Sequence, residues 1–288
     1  MRMRPSLTGK SPPALGRRPL SLLLRLLVTA AAVVTALIVL FVAGYIVING
    51  ARRLRPSLFA LKYTSENVSM TPAIIGTLAM TALALALAAP LGIFSAVYLA
   101  EYARRGSRLV KTMRLAAETL AGIPSIVYGL FGALLFNRLW GYSLLAGAAT
   151  LAIMLLPLIM RTAEEALLAV PDMYREGGFG LGAGRLRVVF AITLPAAAPG
   201  ILAGIILAVG RAVGETAALI FTSGTSPELP RSIFSSVRTL SVHMYALWNE
   251  GLYGDEAYAT AFVLLVITAA LNALSGIVSG RFRGGGDG

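Results

Sequence analysis

Residues 176–195 read E-G-G-F-G-L-G-A-G-R-L-R-V-V-F-A-I-T-L-P. This is a polar, glycine-rich stretch inside a very apolar chain. It lies between two hydrophobic runs and ends on a Leu-Pro pair that opens the second of them. Joining two membrane helices does not require so long and so patterned an insertion. The stretch reads as a docking surface, and the rest of the chain as the membrane-embedded body on which a partner acts.

Composition sets that class. The 288 residues are 57% hydrophobic and 13% charged, the latter about half the usual ~25% of soluble domains. Mean hydropathy is +0.78. These values indicate a polytopic membrane protein. The net charge of +12 comes from basic residues placed between apolar runs, not on one amphipathic face, which argues against nucleic acid as a partner. The chain contains no Cys, so disulfides, thiolate metal sites and cysteine nucleophiles are excluded.

Working outward from the insertion, six spans are expected, giving an all-α fold of six transmembrane helices. Residues 26–48 form a charge-free run of 23, where one membrane helix needs about 20. The run is too long for a signal-peptide core of ~7–15 residues and lacks a small-x-small cleavage site, so it reads as a retained helix. The other spans are expected at 70–100, 119–137, 139–160, 196–222 and 257–280, with loops at 49–71, 101–118, 161–195 and 223–256. Six crossings put both termini on one side, and Lys and Arg choose which. One side collects 16 of them; the other collects seven, namely Arg52, Arg53, Arg55, Lys62, Arg138, Arg231 and Arg238. The bias places both ends in the cytoplasm. The Arg52, Arg53 and Arg55 cluster reads as a membrane anchor.

Within the insertion, Arg161 and Glu165 are four apart and can pair on one helix face. Pro171 breaks that helix and can start another, so a short surface helix is expected at 172–181. The fifth span carries Arg211-Ala-Val-Gly-Glu215-Thr216. An ionisable side chain deep in a membrane costs roughly 2.5–3.5 kcal/mol or more, and residues four apart on one helix can pair. Counted from Pro195, Arg211 lies about 24 Å along the helix. Arg211 and Glu215 are either a structural ion pair or charges on a pathway. A guanidinium fork suits phosphate-like oxyanions.

Ser125 and Tyr128 sit in G-I-P-S-I-V-Y-G at 122–129. A Pro-Ser pair at a span start can free backbone groups to line a cavity; the alternative is an ordinary helix start with small-residue packing. His243 is the only His and cannot form a His metal site alone. Its loop, 223–256, reads as a lid or protein contact, or as a plain solvated connection. Neither G-x4-G-K-[ST], H-E-x-x-H nor G-x-S-x-G occurs, so no P-loop ATPase is encoded and any energy is borrowed.

Glu176, Gly182, Ile192, Leu194 and Pro195 fit the pattern E-A-A-x3-G-x9-I-x-L-P without a gap, with Gly177 and Gly178 in place of the alanines. This resembles the EAA loop in the membrane subunits of binding-protein-dependent ABC importers. The resemblance implies the type I (MetI-like) permease fold. It also implies a coupling helix that seats in a groove of a cytoplasmic ATPase through Arg175, Glu176, Gly177, Gly178, Gly182, Leu194 and Pro195. Each Gly costs a helix about 1 kcal/mol relative to Ala, so this coupling helix should be intrinsically weak and should gain full order from its partner. R-A-x-G-E-T and G-x-P-S-x-V-Y-G are similar to segments of the phosphate-importer membrane subunits, and residues 156–167 and 214–222 resemble the PstA type more than the PstC type.

The resemblance implies a permease subunit for inorganic phosphate. Its expected partners are a PstC-like second permease subunit in a heterodimer, two ATPase subunits, an extracytoplasmic phosphate-binding protein and membrane lipid. Arg211, Glu215, Thr216, Ser125 and Tyr128 would lie on the substrate path. The chain would be no enzyme and bind no cofactor or metal, with ATP and Mg on the partner ATPase. The expected organisation is a basic cytoplasmic tail at 1–21, a first helix and outer loop at 22–71, the permease core at 72–280 and a short cytoplasmic tail at 281–288. The rivals are a permease for another oxyanion such as phosphonate or molybdate, a secondary transporter with Glu215 as proton relay, and a structural membrane protein in which the Arg211–Glu215 pair locks helices.

Overall fold

The computed structural model describes residues 18–104 and 106–283. The basic tail expected at 1–21 therefore falls mostly outside the described residues, as do Arg105 and the glycine-rich end at 284–288. The chain divides into two units, residues 1–48 and residues 49–288. The described part of the first is a single helix, α1 (Arg18–Ala51), whose last residues belong to the second unit. Its Leu27, Leu37 and Phe41 side chains are exposed, as suits a helix with apolar residues on every face.

The second unit consists of helices joined by turns and by two longer irregular stretches, at 60–70 and 223–239. The elements in order are α2 (Thr71–Val97), α3 (Arg108–Ala121), α4 (Ser125–Leu135), α5 (Asn137–Trp140), α6 (Leu144–Leu168), α7 (Asp172–Gly180), α8 (Arg185–Val188), α9 (Leu194–Gly214), α10 (Ala217–Thr222), α11 (Leu240–Glu250) and α12 (Gly254–Arg283). Among the described residues, five stretches of helix are long and apolar enough to cross a membrane, and α3 with α4 makes a sixth if that pair, bent by 100°, counts as one span.

Local chemistry explains most boundaries. The side chains of Ser107 and Ser143 accept hydrogen bonds from the Val110 and Ala146 amides and start α3 and α6, satisfying donors that a helix start leaves unpaired. Pro124 disfavours helical backbone at the residue before it and forces the bend between α3 and α4. The Tyr128 hydroxyl crosses that bend and donates to the Leu120 carbonyl at 2.7 Å.

The structure corrects two expected spans and two expected loops. Residues 101–118 are not a basic loop: they open on the end of a turn of π-helix (Tyr98–Tyr102) and hold most of α3, whose Val110 and Ala117 are buried. The fourth span starts at Leu144 and runs unbroken to Leu168, beyond the expected end at 160. The fifth begins at Arg185, ten residues before Pro195, and passes through a π turn at Val189–Thr193. Pro195 removes one ladder donor and crowds the carbonyl four residues back; the wider π turn just before it accommodates both. Its far end stops at Gly214, and α10 is a separate piece. The loop expected at 223–256 contains α11.

The core is organised around α6, two-thirds of whose most apolar stretch is buried. It packs on α2, α9, α3 and α4. Small residues bring the backbones together, as in membrane bundles generally. A Cβ on Gly92 of α2 would meet Ile159 of α6 at 2.8 Å, and one on Gly129 of α4 would meet the Ala218 backbone of α10 at 2.8 Å. One apolar cluster, with Met80, Leu151, Leu155 and Leu219, fills the middle of the bundle. A second, with Val97, Val110, Leu167, Val189 and Ile201, closes the end that carries α7.

Candidate functional site

Two places bear on function, one at each end of the bundle. The first is the loop expected to dock a partner. Pro171 has an extended backbone (ψ 139°) and α7 follows it for nine residues, one short of the expected 172–181. Its end is a Schellman motif. The Gly182 amide donates to the Phe179 carbonyl at 2.9 Å and the Ala183 amide to the Gly178 carbonyl at 3.1 Å. This closure needs a residue in the left-handed region, and Gly182 has φ +82°. That is the physical reason for Gly six residues after Glu176. Glu176 is exposed, and Met173, Tyr174, Phe179 and Leu181 form an exposed apolar group around it.

The two glycines at 177 and 178 differ. A Cβ on Gly177 meets nothing within 4 Å, whereas one on Gly178 would lie 2.8 Å from Ile192 Cδ1 and 3.0 Å from Val188 Cγ2. Gly178 thus seats α7 against the start of the next span. Gly177→Ala should stabilise α7 by up to about 1 kcal/mol, slowing amide exchange in its last turns by roughly fivefold. Gly178→Ala should gain less, because Ile192 must move. Hydrogen exchange followed by mass spectrometry on both variants checks the difference, and equal protection would contradict it.

Arg175 fastens the loop. Its guanidinium donates to Glu101 at 2.7 Å, to the Leu167 carbonyl at 2.8 Å, to the Val170 carbonyl at 2.7 Å and to Asp172 at 3.1 Å. Arg161 Nε donates to Glu165 Oε1 at 3.1 Å on the exposed face of α6. Beside that pair, Glu164 is buried and pairs with Arg114 of α3 at 2.5 Å. Leu194 is half-buried and Pro195 exposed, both inside the helix and not at a re-entry point.

The second place is the break between α9 and α10. Arg211 is in the last turn of α9, where the helix dipole favours a cation. Counted from Arg185, it lies about 39 Å along the span, past a hydrocarbon core of ~30 Å. The expected pairing of Arg211 with Glu215 is not formed. Four-residue spacing makes neighbours only while the helix continues, and Glu215 is already extended (φ −71°, ψ 129°). Its carboxylate instead accepts from the Ala218 amide at 3.1 Å, capping α10, and its carbonyl accepts from Ser241 Oγ at 2.5 Å. Glu215 is buried, while Arg211 and Thr216 are half-buried. No described residue forms a hydrogen bond or ion pair with the Arg211 side chain within the usual distances. Tyr128, a further expected path residue, is buried in α4 with its hydroxyl committed to the Leu120 carbonyl. Ser125, half-buried at the start of α4, is not joined to Arg211 by any such bond.

Sequence reasoning missed a buried polar group behind this break. Arg238 donates to the Thr225 carbonyl at 2.9 Å and to His243 Nδ1 at 3.3 Å, and lies over the Tyr63 ring. An arginine only donates, so Nδ1 is the acceptor. Burial first, then the Arg238 charge, holds His243 down at about 4, with the Val68 backbone acting weakly the other way. His243 is therefore neutral at neutral pH and serves as a packed acceptor. The Leu240 amide donates to Thr77 of α2 at 2.8 Å, so α11 is anchored in the bundle rather than solvated. Among the described residues no cluster of three or more His, Cys, Asp or Glu could hold a metal.

The chain is similar to known proteins in both sequence and fold. The family model described as "Binding-protein-dependent transport system inner membrane component" matches residues 88–284. A "Probable ABC transporter permease protein YqgI" of Bacillus subtilis is 33% identical over 260 residues, covering 84% of this chain and 87% of its own length. "Phosphate transport system permease protein PstA 1" of Mycobacterium tuberculosis is 34% identical over 211 residues, covering 72% and 69%. Among solved structures, an inward-facing MetNI methionine ABC transporter chain aligns with TM-score 0.57 at 19% identity over 72% of this chain and 93% of its own. A bacterial alginate ABC transporter chain aligns with TM-score 0.63 at 15% identity over 92% and 99%.

Proposed function

Since the chain belongs to the binding-protein-dependent transport system inner membrane components, non-catalytic permease subunits that work with a separate ATPase, we propose that it is the PstA-type permease subunit of an ATP-driven importer of inorganic phosphate. The observation that carries the substrate is Arg211: a half-buried arginine without a carboxylate partner among the described residues, at a break between two helix pieces. A charge partly withdrawn from water and left unpaired is costly, and a guanidinium fork matches the oxygens of a tetrahedral oxyanion. Identity of 34% to a phosphate-transport permease of the PstA name supports the same substrate.

In this reading the permease pairs with a PstC-like subunit, two ATPase subunits dock on the α7 loops, and a phosphate-binding protein delivers substrate at the opposite face. Both termini lie in the cytoplasm, an orientation supported by the 16-to-7 distribution of Lys and Arg. ATP-driven closure of the ATPases moves the α7 loops, and the helices rock between inward and outward access. Phosphate biases that equilibrium only through unequal affinity for the two states.

The test is uptake of radiolabelled phosphate by vesicles holding the reconstituted complex with its binding protein. Uptake should need ATP, resist a protonophore and be insensitive to excess molybdate or phosphonate. Competition by molybdate or phosphonate would assign another oxyanion, and collapse with the protonophore at intact ATP would favour a secondary transporter.

A further inference from the structure

We propose that Glu101 is the positioning residue that links the docking loop to α2, so that movement of α7 is delivered to that span; the proposal rests on reading residues 172–195 as the ATPase-coupling loop. Glu101 lies in the π turn that ends α2. Its side chain is 7% exposed and that of its partner Arg175 15%. An ion pair so removed from water gives little net stability over apolar side chains of similar size, but its geometry is restrictive. The restriction here spans three elements. The same guanidinium holds the Leu167 carbonyl in the last turn of α6, the Val170 carbonyl just beyond it, the first residue of α7, at Asp172, and the carboxylate at the end of α2.

A second arginine repeats the arrangement from the other side of the loop. Arg185, which opens α8, donates to the Glu101 backbone carbonyl and stands over the Tyr102 ring at 4.9 Å. The end of α2 is therefore gripped from both ends of the docking loop through adjacent residues. The residues directly after the turn, Ala103 and Arg104, are not helical, so the turn can shift without pulling directly on a second rigid helix. Space for such a shift is present: a cavity of about 800 Å³ is lined by Glu101, Arg175, Phe179 and Arg185. A planar fork on a carboxylate transmits direction as well as distance. α2 lies along α6 and contacts α9, so a shift of its end reaches the spans that form the body.

The absence of Cys allows a single reporter on this subunit. Phe94→Cys, exposed near the end of α2, carries an environment-sensitive fluorophore in the complete complex in nanodiscs, with partners freed of reactive thiols. Binding of a non-hydrolysable ATP analogue should change the reporter's emission in the otherwise unsubstituted complex. With Glu101→Gln the ATPase should remain bound and hydrolyse within about twofold of its normal rate. The emission change should be lost and uptake per ATP should fall at least tenfold. Glu101→Asp, which restores the charge, should recover part of both. An unchanged emission response in Glu101→Gln overturns the proposal alone. So does loss of the ATPase from that variant, because Glu101 would then only support the docking helix. If the unsubstituted subunit itself retains no ATPase, the coupling-loop reading fails and the proposal with it.

Discussion

Arg211→Ala is expected to leave the subunit folded and assembled while lowering phosphate uptake roughly 10- to 100-fold. The magnitude follows from hydrogen bonds to a charged group, worth about 1.5–3 kcal/mol, at tenfold per 1.4 kcal/mol. The folding half of the expectation comes from the geometry. Had Arg211 been paired with Glu215, its removal would have stranded a buried carboxylate and cost several kcal/mol. Glu215 instead caps α10 through the Ala218 amide and is held through its carbonyl by Ser241, and neither bond involves Arg211. Arg211→Lys should fall between, since it keeps the charge and loses the fork. Uptake and the amount of assembled complex, measured on the same vesicles, separate the two effects. Normal uptake in Arg211→Ala would remove Arg211 from the path. A parallel loss of assembly would make it a structural charge.

The same contrast indicates what the sequence carried. Long apolar runs located α1, α2 and α12 well, because a membrane span needs length and composition and little else. The α7 loop was legible from Pro171 and Gly182, each of which has a backbone consequence that no neighbour can override, whereas the Leu194-Pro195 pair falls inside the following span. Charge misled the reading of residues 101–118. Five basic residues suggested a loop, yet Val110, Met113, Ala117 and Leu120 recur at helical spacing and Ser107 is a ready cap, so the signal for α3 was present and outweighed. The break at Gly214 left no such trace. No proline marks it, and the interactions that favour it, from Ser241 and the capping of α10, come from elsewhere in the chain. Glu101 and Glu164 were equally hidden, since their partners Arg175 and Arg114 lie 74 and 50 residues away.

Glu164 makes the second large expectation, because the adjacent α6 residues Glu164 and Glu165 each pair with an arginine and the two pairs differ chiefly in burial. The Arg114–Glu164 side chains are 49% and 7% exposed, and those of Arg161–Glu165 are 62% and 66% exposed. Arg161→Ala should therefore cost little, within the ~0–1 kcal/mol of exposed pairs. Arg114→Ala leaves a carboxylate buried between α3 and α6 with its charge uncompensated, and breaking a buried pair in this way costs about 3–5 kcal/mol. The reverse truncation is milder. Glu164→Ala leaves Arg114, already half in water, free to turn outward. Removing both partners should then be less damaging than Arg114→Ala alone, a sign inversion that packing loss by itself cannot produce, since each truncation would only add to the last. Denaturant midpoints of the four purified subunits in detergent decide it. Equal destabilisation by Arg114→Ala and Arg161→Ala, or a double variant weaker than Arg114→Ala, would show that water reaches Glu164. Because α3 is held to α6 beside the docking loop, Arg114→Ala should also lower uptake, but only in proportion to the folded fraction, which distinguishes it from the uncoupling expected at Glu101.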